Sequence, residues 1–426
     1  MGEQRATRIA GYSEARIPSA VLGVDAVFED LAAAGVCEYR ACSSVHPDPA
    51  DLAWADAVVL VRGASPSEYR ILREAQRLGR RVATYMDDDL EAVPAEARSG
   101  YFFTSATVRR LLAEILREAD LVCTTREELS EVLAARHGIE PRILRQPHPG
   151  TTPLPPPHPA ATPLREPQSG PVHETQSEPL REMQSGQVRE VQSRPLREPK
   201  SSPVRIGFLG SVDHAGFLDE LLRGPLTSLA RDLGEQVEFI FCGAVPAFAR
   251  ELNATAAPYQ HDFAAWREAA RGLDLDIGLA PLPASAFHAC KYWNKYLEYA
   301  SLGIAGIYSE GSPNADVVRD GETGLVVPNH ALAWESALRR LVDDPVLRRT
   351  IITQARADIE ERFSPTALRG AWQAALAPLL GHRAPQVDPA AVRLPRGTLR
   401  HLRDRIAIYG PGRAAERAFH RLALRR

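Results

Sequence analysis

Short apolar runs alternate with amphipathic helical stretches through the first third of the chain. Pro66 opens one predicted helix, where its missing N–H has no partner to lose, and Gly138 ends another. Thr124 and Glu127 have the spacing of a capping box at the start of that second helix. Repeated strand–helix units of this kind predict a parallel sheet with helices on both faces. The predicted strands are 8–12, 55–61, 81–86, 120–124 and a last one that begins at 143–144.

The same alternation restarts at residue 204 and predicts a second domain of the same class. A helix over 218–233 is expected to break near Gly224-Pro225, and a helix over 294–302 to end at Gly303. Two Rossmann-like, doubly wound parallel-sheet domains facing a cleft are therefore expected, with ligands at the carboxyl ends of the strands. The predicted strands are 204–209, 237–242, 276–280, 304–309 and 324–328.

A segment of different composition separates the first domain, 1–149, from the second, 204–382. Residues 150–203 are rich in proline and then repeat every eight residues, from PLREPQSG at 163–170 to PLREPKSS at 195–202. Each unit offers too little apolar surface to offset the entropy of ordering the chain. A disordered low-complexity linker is therefore expected, with a short-period solenoid as the alternative.

Composition and charge narrow the class of protein. Of the 426 residues, 44% are hydrophobic and 25% charged, as in an ordinary globular protein, and the net charge of -3 gives no indication of a nucleic-acid partner. No apolar run approaches the ~20 residues that cross a bilayer, and the first residues lack the apolar core of a secretory signal. Five scattered cysteines without metal-finger spacing favour a reducing, cytoplasmic location.

Two segments of the second domain carry residues suited to a nucleoside diphosphate. Gly210 and Ser211 end a predicted strand, where small residues let backbone N–H groups and a helix N-terminus approach a phosphate. Lys291 and Lys295 lie near the start of the 294–302 helix and would compensate the diphosphate charge. Glu298, further along that helix, can accept hydrogen bonds from a ribose diol. A plain turn and a solvated surface loop are the alternative interpretations, and the absence of a G-x-G-x-x-G motif argues against an NAD enzyme.

These segments resemble the donor-site signature of GT-B glycosyltransferases, and in particular that of a bacterial, group 1-like subgroup. Residues 276–282 match D-I-G-L-A-P-L, and 287–303, FHACKYWNKYLEYASLG, are similar to F-N-x-x-K-S-x-x-K-Y-L-E-Y-A-x-L-G. Residues 206–214 resemble I-G-Y-x-G-(S/T)-x-x-H, and 320–325 match D-G-x-T-G-L. In the first domain, 87–90 resembles a D-x-D-D-x turn. The resemblance implies a first domain that binds the acceptor and a second that binds a nucleotide sugar.

The resemblance also implies a role for each matched residue. Glu298 would hold the nucleotide ribose, and Lys291 and Lys295 would bind the diphosphate, for which Gly210 and Ser211 leave room. His214 would face the cleft near the phosphates or the acceptor. The candidate catalytic residues are His214, Lys291 and Asp88.

Transfer of a sugar from a nucleotide-diphosphate sugar to a glycan or other hydroxyl acceptor is the expected function, without a further cofactor, in glycan or cell-surface polysaccharide synthesis. Retention of configuration is weakly favoured because no strong base is evident in the first domain. His288 and Tyr292 stand where the subgroup has Asn and Ser, and Cys290 stands where the E-x7-E pair of the wider class has an acid. These departures suggest a non-catalytic sugar-nucleotide-binding protein as one alternative. The other is an enzyme of the same fold that epimerises or hydrolyses the nucleotide sugar.

Three consecutive aspartates, Asp87 to Asp89, are of the residue type that binds Mg²⁺ or Mn²⁺. The GT-B resemblance instead implies no metal, and favours a cleft-facing acceptor site or a helix-capping turn. Asp88 is also a candidate general base.

The tail, 383–426, is strongly basic. From Val392 onward it has ten arginines against Asp404 and Glu416, and Leu399, Leu402 and Ile406 fall on one helical face. Peripheral contact with anionic lipid at the inner membrane face is one interpretation. Packing against an acidic protein surface is the other.

Overall fold

The computed structural model describes residues 5–150, 203–260 and 262–394, together with positions 403, 404, 406 and 408. These residues form two six-stranded sheets in which every strand pair is parallel. The predicted fold class, two Rossmann-like α/β domains, is confirmed. The predicted linker falls almost entirely in residues 151–202, outside the described residues.

The first sheet has the strand order β2-β1-β3-β4-β5-β6 and is covered by helices on both faces. Every residue of its β3 strand is buried, as expected of a continuous apolar run in a parallel sheet. Its helix α4 begins with a complete capping box between Ser65 and Glu68. The strands are β1 (Thr7–Ser13), β2 (Cys37–Ser43), β3 (Ala57–Val61), β4 (Arg81–Met86), β5 (Leu121–Thr124) and β6 (Arg142–Ile143). The helices are α1 (Pro18–Ala20), which continues through a π-helical turn (Val21–Asp25) into α2 (Ala26–Ala33), then α3 (Pro49–Trp54), α4 (Pro66–Arg77), α5 (Gly100–Phe103), α6 (Ala106–Glu118) and α7 (Glu127–His137).

The second sheet has the order β12-β11-β10-β7-β8-β9. Its main core packs the long first helix and two of the last three helices against one face of the sheet. The strands are β7 (Val204–Gly210), β8 (Val237–Gly243), β9 (Thr255–Ala257), β10 (Ile277–Ala280), β11 (Ala305–Ser309) and β12 (Leu325–Val327). The helices are α8 (Ala215–Leu233), α9 (Phe263–Gly272), α10 (Ala286–Ala289), α11 (Asn294–Leu302), α12 (Ala331–Asp343), α13 (Pro345–Phe363) and α14 (Pro365–Leu380).

The strand order of each sheet reverses once. The reversal lies between β1 and β3 in the first sheet and between β7 and β10 in the second. A crevice opens at such a point, outside the carboxyl ends of the two strands, because the connections leave in opposite directions. The topology alone therefore marks two places where a ligand can enter, one in each domain.

Helix α14 crosses back to the first domain, although chain order places it within the 204–382 region. Trp372, Leu376 and Leu379 are buried in one cluster with residues of α2 and of the first sheet. The Trp372 indole donates a hydrogen bond to the Arg145 carbonyl oxygen at 2.8 Å. The end of the second half of the chain is thus part of the first domain's core.

The described part of the basic tail also packs on the first domain. Val392 and Leu394 are buried in a cluster with residues of α3, α4 and the first sheet. Arg70 donates to Asp404 at 3.0 Å, and the Ser105 hydroxyl donates to the Ile408 carbonyl oxygen at 3.0 Å. None of the helices in the described ranges is long and apolar enough to span a membrane. Lipid contact by the remainder of the tail stays a prediction.

The expected cap at Thr124 is wrong. Thr124 is the last residue of β5, and its hydroxyl donates to the Arg126 carbonyl oxygen at 3.4 Å. Arg126 itself occupies the N-cap position of α7 and makes no side-chain capping bond. The hydroxyl of Thr124 therefore bonds the carbonyl of the N-cap residue and does not cap an N–H of the first turn of α7.

The expected break in α8 is also wrong, because the helix runs without interruption through Pro225. Proline inside a helix removes one hydrogen bond and costs about 3 kcal/mol. Leu222, Leu226 and Leu229 are fully buried on the same face of α8, and burial of each such side chain contributes about 1.5–3 kcal/mol. Packing on the sheet therefore outweighs the proline.

Candidate functional site

A cavity of about 1030 Å³ lies between the two domains at the carboxyl ends of both sheets. Residues that follow β1, β3 and β4 line it from the first domain, and residues that follow β7 and β10 line it from the second. Both points of strand-order reversal thus open into one space, as expected for a ligand site in this class of fold. The lining residues that matter below are Glu14, Arg62, Asp87, Asp88, Ser211, His214, His288 and Lys291.

Two predicted site residues, Lys291 and Asp88, meet across this cavity. Lys291 Nζ lies 3.1 Å from the Asp88 carboxylate, which joins the second domain to the first. Arg62 donates to the other oxygen of Asp88 at 3.0 Å. Lys291 also lies over the ring of Phe287, 4.2 Å from its centroid. The cavity wall between the domains is therefore a network of one carboxylate and two cations.

The cations control the charge of Asp88. Burial disfavours its carboxylate, but Lys291 and Arg62 outweigh burial and hold the pKa of Asp88 below its usual range. Asp88 is consequently ionised at neutral pH and a weak base. Its role as a general base stays a prediction, and in this arrangement it serves as the partner of Lys291.

Arg62 is a cleft residue that the sequence analysis did not identify. It directly follows β3 and has a φ of 54°, a left-handed conformation that a residue other than glycine rarely adopts. Besides Asp88 it contacts Asp87, with Nε 3.4 Å from the carboxylate. A basic residue at the end of a fully apolar strand, followed by Gly63, was the available signal.

Gly210, Lys295 and Glu298 form a second cluster in the second domain, outside the cavity lining. Lys295 Nζ donates to Glu298 Oε2 at 2.5 Å. A side chain at Gly210 would collide with the ring of Phe208 and come within 3.6 Å of Lys295 Cε. Glycine at 210 therefore keeps the backbone open beside the lysine.

Ser211 directly follows Gly210 and lines the cavity. It caps the 3₁₀ turn that contains His214, accepting a hydrogen bond from the Asp213 N–H at 3.4 Å. The Asp213 carboxylate in turn accepts a hydrogen bond from the Arg98 N–H of the first domain at 2.8 Å. The loop after β7 is thus fixed internally and tied to the opposite wall of the cleft.

The chain contains only three lysines, Lys200, Lys291 and Lys295. Two of the three lie in this region, although the chain uses arginine in nearly every other cationic position. Lysine presents a compact, mobile point charge, whereas arginine presents a rigid fork. Lysine therefore suits a site in which negative charge moves along a bond as the bond breaks.

The two cleft histidines are neutral. Burial and the positive charges of Lys295 and Lys291 lower the pKa of His214 to about 3. Burial and Lys291 likewise lower the pKa of His288 to about 4. The rings of His214 and Phe208 lie 5.4 Å apart. At neutral pH His214 can accept or donate a hydrogen bond, but it adds no charge to the site.

We expect His214→Gln to make stability less dependent on pH. Between pH 7 and pH 5 the unfolded chain protonates His214, whose ordinary pKa is about 6.5, while the folded protein does not. Falling pH therefore favours unfolding, by about 1 kcal/mol after allowance for partial solvent screening of this half-buried ring. Urea unfolding at both pH values gives the free energy of unfolding of each protein. The parent should lose more of it between pH 7 and pH 5 than the variant does. Equal losses in parent and variant would mean that the ring titrates normally.

The three consecutive aspartates do not converge on one point: Asp87 and Asp88 share Arg62, and Asp89 turns to α7. Asp87 contacts Arg62, Asp88 contacts Lys291, and Asp89 receives a two-pronged hydrogen bond from Arg136 at 2.7 and 2.9 Å. Asp89 thereby ties the end of β4 to the last turn of α7. Across the ranges described above, no group of three or more His, Cys, Asp or Glu is arranged to hold a metal ion.

Glu14 is an acid of the first domain that the sequence analysis missed. It follows β1, and its side chain remains accessible from the cavity. The surrounding protein disfavours its charge, and the nearby Glu68 carboxylate adds to this effect, so that the pKa of Glu14 rises to about 8. An acid that exchanges its proton near neutral pH therefore lines the same cavity as Lys291.

Comparison with known proteins agrees with this architecture. No protein-family model matches the chain, and no curated protein matches it significantly. Among solved structures, sucrose-phosphate synthase from Thermosynechococcus elongatus aligns with a TM-score of 0.53 at 15% identity, covering 88% of this chain and 99% of that one. HepE from Anabaena in complex with UDP and glucose aligns at 0.52 and 10% identity, covering 87% and 99%. A glycosyltransferase from Rickettsia africae aligns at 0.52 and 11% identity, covering 88% and 99%.

These likenesses extend over both domains and nearly the whole of each solved chain. At identities of 10 to 15% they establish the fold. The chain has the GT-B fold, as the resemblance of its motifs implied.

Proposed function

We propose that this protein transfers a sugar from a nucleotide-diphosphate donor to a hydroxyl of a glycan or similar acceptor. The observation that carries the proposal is the position of Lys291, which lines a cleft between two GT-B domains beside the second domain's reversal point. HepE, of the same fold, was solved with UDP and glucose. We propose a cytoplasmic location and no metal or cofactor beyond the donor; all five cysteines are free and buried.

The second domain would hold the donor. Glu298 would accept hydrogen bonds from the ribose, and the backbone at Gly210 and Ser211 would leave room for the phosphates beside the start of α8. Lys291 and Lys295 would neutralise the diphosphate, whose negative charge grows as the glycosidic bond breaks. In the structure each lysine is paired with a carboxylate, at 3.1 Å and 2.5 Å. Donor binding would exchange these partners for phosphate oxygens.

The first domain would bind the acceptor. Glu14 and Asp88 face the cavity from the ends of β1 and β4. Asp88, held ionised by two cations, can accept a hydrogen bond from an acceptor hydroxyl. Glu14 can exchange a proton with the hydroxyl near neutral pH. Closure of the domains would keep water from competing with the acceptor.

Glu298→Gln is expected to weaken binding of the free nucleoside diphosphate by roughly ten- to hundredfold, since a charge-assisted hydrogen bond contributes about 1.5–3 kcal/mol. The ribose changes little during the reaction, so the rate at saturating donor should fall less than the affinity. Titration calorimetry with UDP, GDP and TDP measures the first quantity, and steady-state kinetics the second.

Glu235→Gln is the matched control. Glu235 is exposed in the turn before β8, at the edge of the sheet opposite the cleft, so its replacement should leave affinity unchanged. If Glu298→Gln binds nucleotide as tightly as the parent, the donor site has been put in the wrong place. Product analysis with a panel of UDP-, GDP- and TDP-sugars, with and without acceptors, separates transfer from hydrolysis or epimerisation.

A further inference from the structure

The loop between α10 and α11 carries Lys291. By chain order it belongs to the second domain, but its residues contact the first domain. Tyr292 Oη donates to the Gln146 carbonyl oxygen at 2.9 Å. Cys290 is buried in a cluster with Leu129 and Leu133 of α7. The residue between them, Lys291, is therefore held from both sides by contacts with the opposite domain.

Arg126 makes the most direct of these contacts. It stands at the start of α7 in the first domain, and its Nη1 donates to the Lys291 carbonyl oxygen at 3.1 Å. Nη2 lies 2.8 Å from Asp316 of the second domain and 2.6 Å from Glu128. The guanidinium also lies over the ring of Trp293, 5.6 Å from its centroid.

The burial of Arg126 makes this arrangement rigid. Its side chain is only 3% exposed. Both Nη groups of this buried cation are paired, and breaking such a contact would leave buried charge uncompensated, so the guanidinium has little freedom to leave the Lys291 carbonyl. Its planar fork reaches a carbonyl and a carboxylate at once, which a lysine ammonium on a flexible stem does not do in one fixed geometry.

The first domain thus holds both the backbone and the side-chain ammonium of Lys291. Its backbone is held by Arg126 and its ammonium by Asp88. We propose that Arg126 is a positioning residue that sets Lys291 against the donor diphosphate, so that the first domain completes the phosphate site of the second. This inference rests on the proposed function.

The departures from the family pattern gain a reason from this arrangement. Cys290 stands where the wider class has an acid and Tyr292 where the subgroup has Ser, and here both are buried against the first domain. The loop retains Lys291, and the residues on either side of it, Cys290 and Tyr292, fix the loop to the first domain. The affinity of this protein for a diphosphate should accordingly depend on residues outside its donor domain.

A double-mutant cycle tests the inference on the intact protein. The readout is the dissociation constant, by calorimetry, for whichever of UDP, GDP and TDP binds the parent best. Arg126→Met removes every donor, and we expect it to weaken binding on the order of tenfold, the usual size of coupling between contacting residues. In a Lys291→Ala background the same change should have almost no effect. Tyr292→Phe, which deletes one hydroxyl, should act in the same direction and more weakly.

Loss of Arg126 should not unfold the protein and so should not distort the binding measurement. The carboxylates of Glu128 and Asp316 are 50% and 55% exposed, so water solvates them once Arg126 is gone. Arg369→Met is the matched control, because Arg369 on α14 joins Asp30 of the first domain at 2.8 and 2.9 Å and does not touch the Lys291 loop. Its effect, whatever its size, should be the same in the parent and in the Lys291→Ala background.

Two outcomes would overturn the inference in different ways. If Arg126→Met weakens binding equally with and without Lys291, Arg126 acts on domain docking in general and does not position the lysine. If the parent binds none of the three nucleotides, or Lys291→Ala leaves affinity unchanged, the proposed donor site itself is wrong. The second result is read from the parent and the single variant, so the two failures are distinguishable.

Discussion

At saturating donor, Lys291→Ala is expected to turn over roughly 10²–10³ times more slowly than the parent, the usual cost of removing one preorganised group that stabilises developing charge. The Lys291 ammonium lines the cavity, where it contacts the Asp88 carboxylate and the face of Phe287. The diphosphate gains negative charge as the sugar leaves, so the lost interaction is stronger in the transition state than in the ground state. Steady-state kinetics over a range of donor concentrations separates kcat from KM.

Arg250→Ala provides the comparison. Arg250 is an exposed cation of the second domain, outside the cavity lining, and its removal should leave kcat unchanged. A Lys291→Ala variant that loses affinity but keeps its kcat would assign the lysine to ground-state binding alone.

The largest expected loss of stability comes from Trp372→Ala. Trp372 is 1% exposed and packs into the first domain's core from α14. Truncation of a buried tryptophan costs about 3–5 kcal/mol, and loss of the indole hydrogen bond to Arg145 adds about 1 kcal/mol. Thermal and urea unfolding should both show the first domain melting earlier.

Leu332→Ala is the control for that measurement. Leu332 lies on α12 with 77% of its surface exposed, so its truncation should change stability by less than about 0.5 kcal/mol. If Trp372→Ala costs no more than Leu332→Ala, α14 is not part of the first domain's core in solution.

The strands of the two sheets were predictable where they are buried on both faces. The runs at 57–61, 81–86 and 237–243 lie close to their predicted bounds, because an apolar run of that length has few other conformations available. Two strands, β2 and β9, were missed. Both lie at sheet edges, and their side chains are largely half-buried or exposed, so no apolar run marks them.

The residues of the candidate site also divide into those that the sequence could predict and those that it could not. Lys291, Lys295 and Glu298 fall in one short segment, so a motif could identify them. Arg62 and Arg126 reach the site only because the turns after β3 and β5 come to the same edge of one sheet. Such convergence depends on strand order, and no local pattern along the chain encodes strand order.

The scarcity of lysine gives the cleft its own spectroscopic label. Protein grown with isotopically labelled lysine carries three labelled side chains, and two of them are Lys291 and Lys295. Each is held beside a carboxylate, within 3.1 Å of Asp88 or 2.5 Å of Glu298, so each ammonium has a distinct electrostatic environment. An NMR spectrum of a 426-residue protein, ordinarily crowded, is thereby reduced to a few resonances that belong mostly to one site. Those resonances would report occupancy by a diphosphate directly, before any acceptor is known.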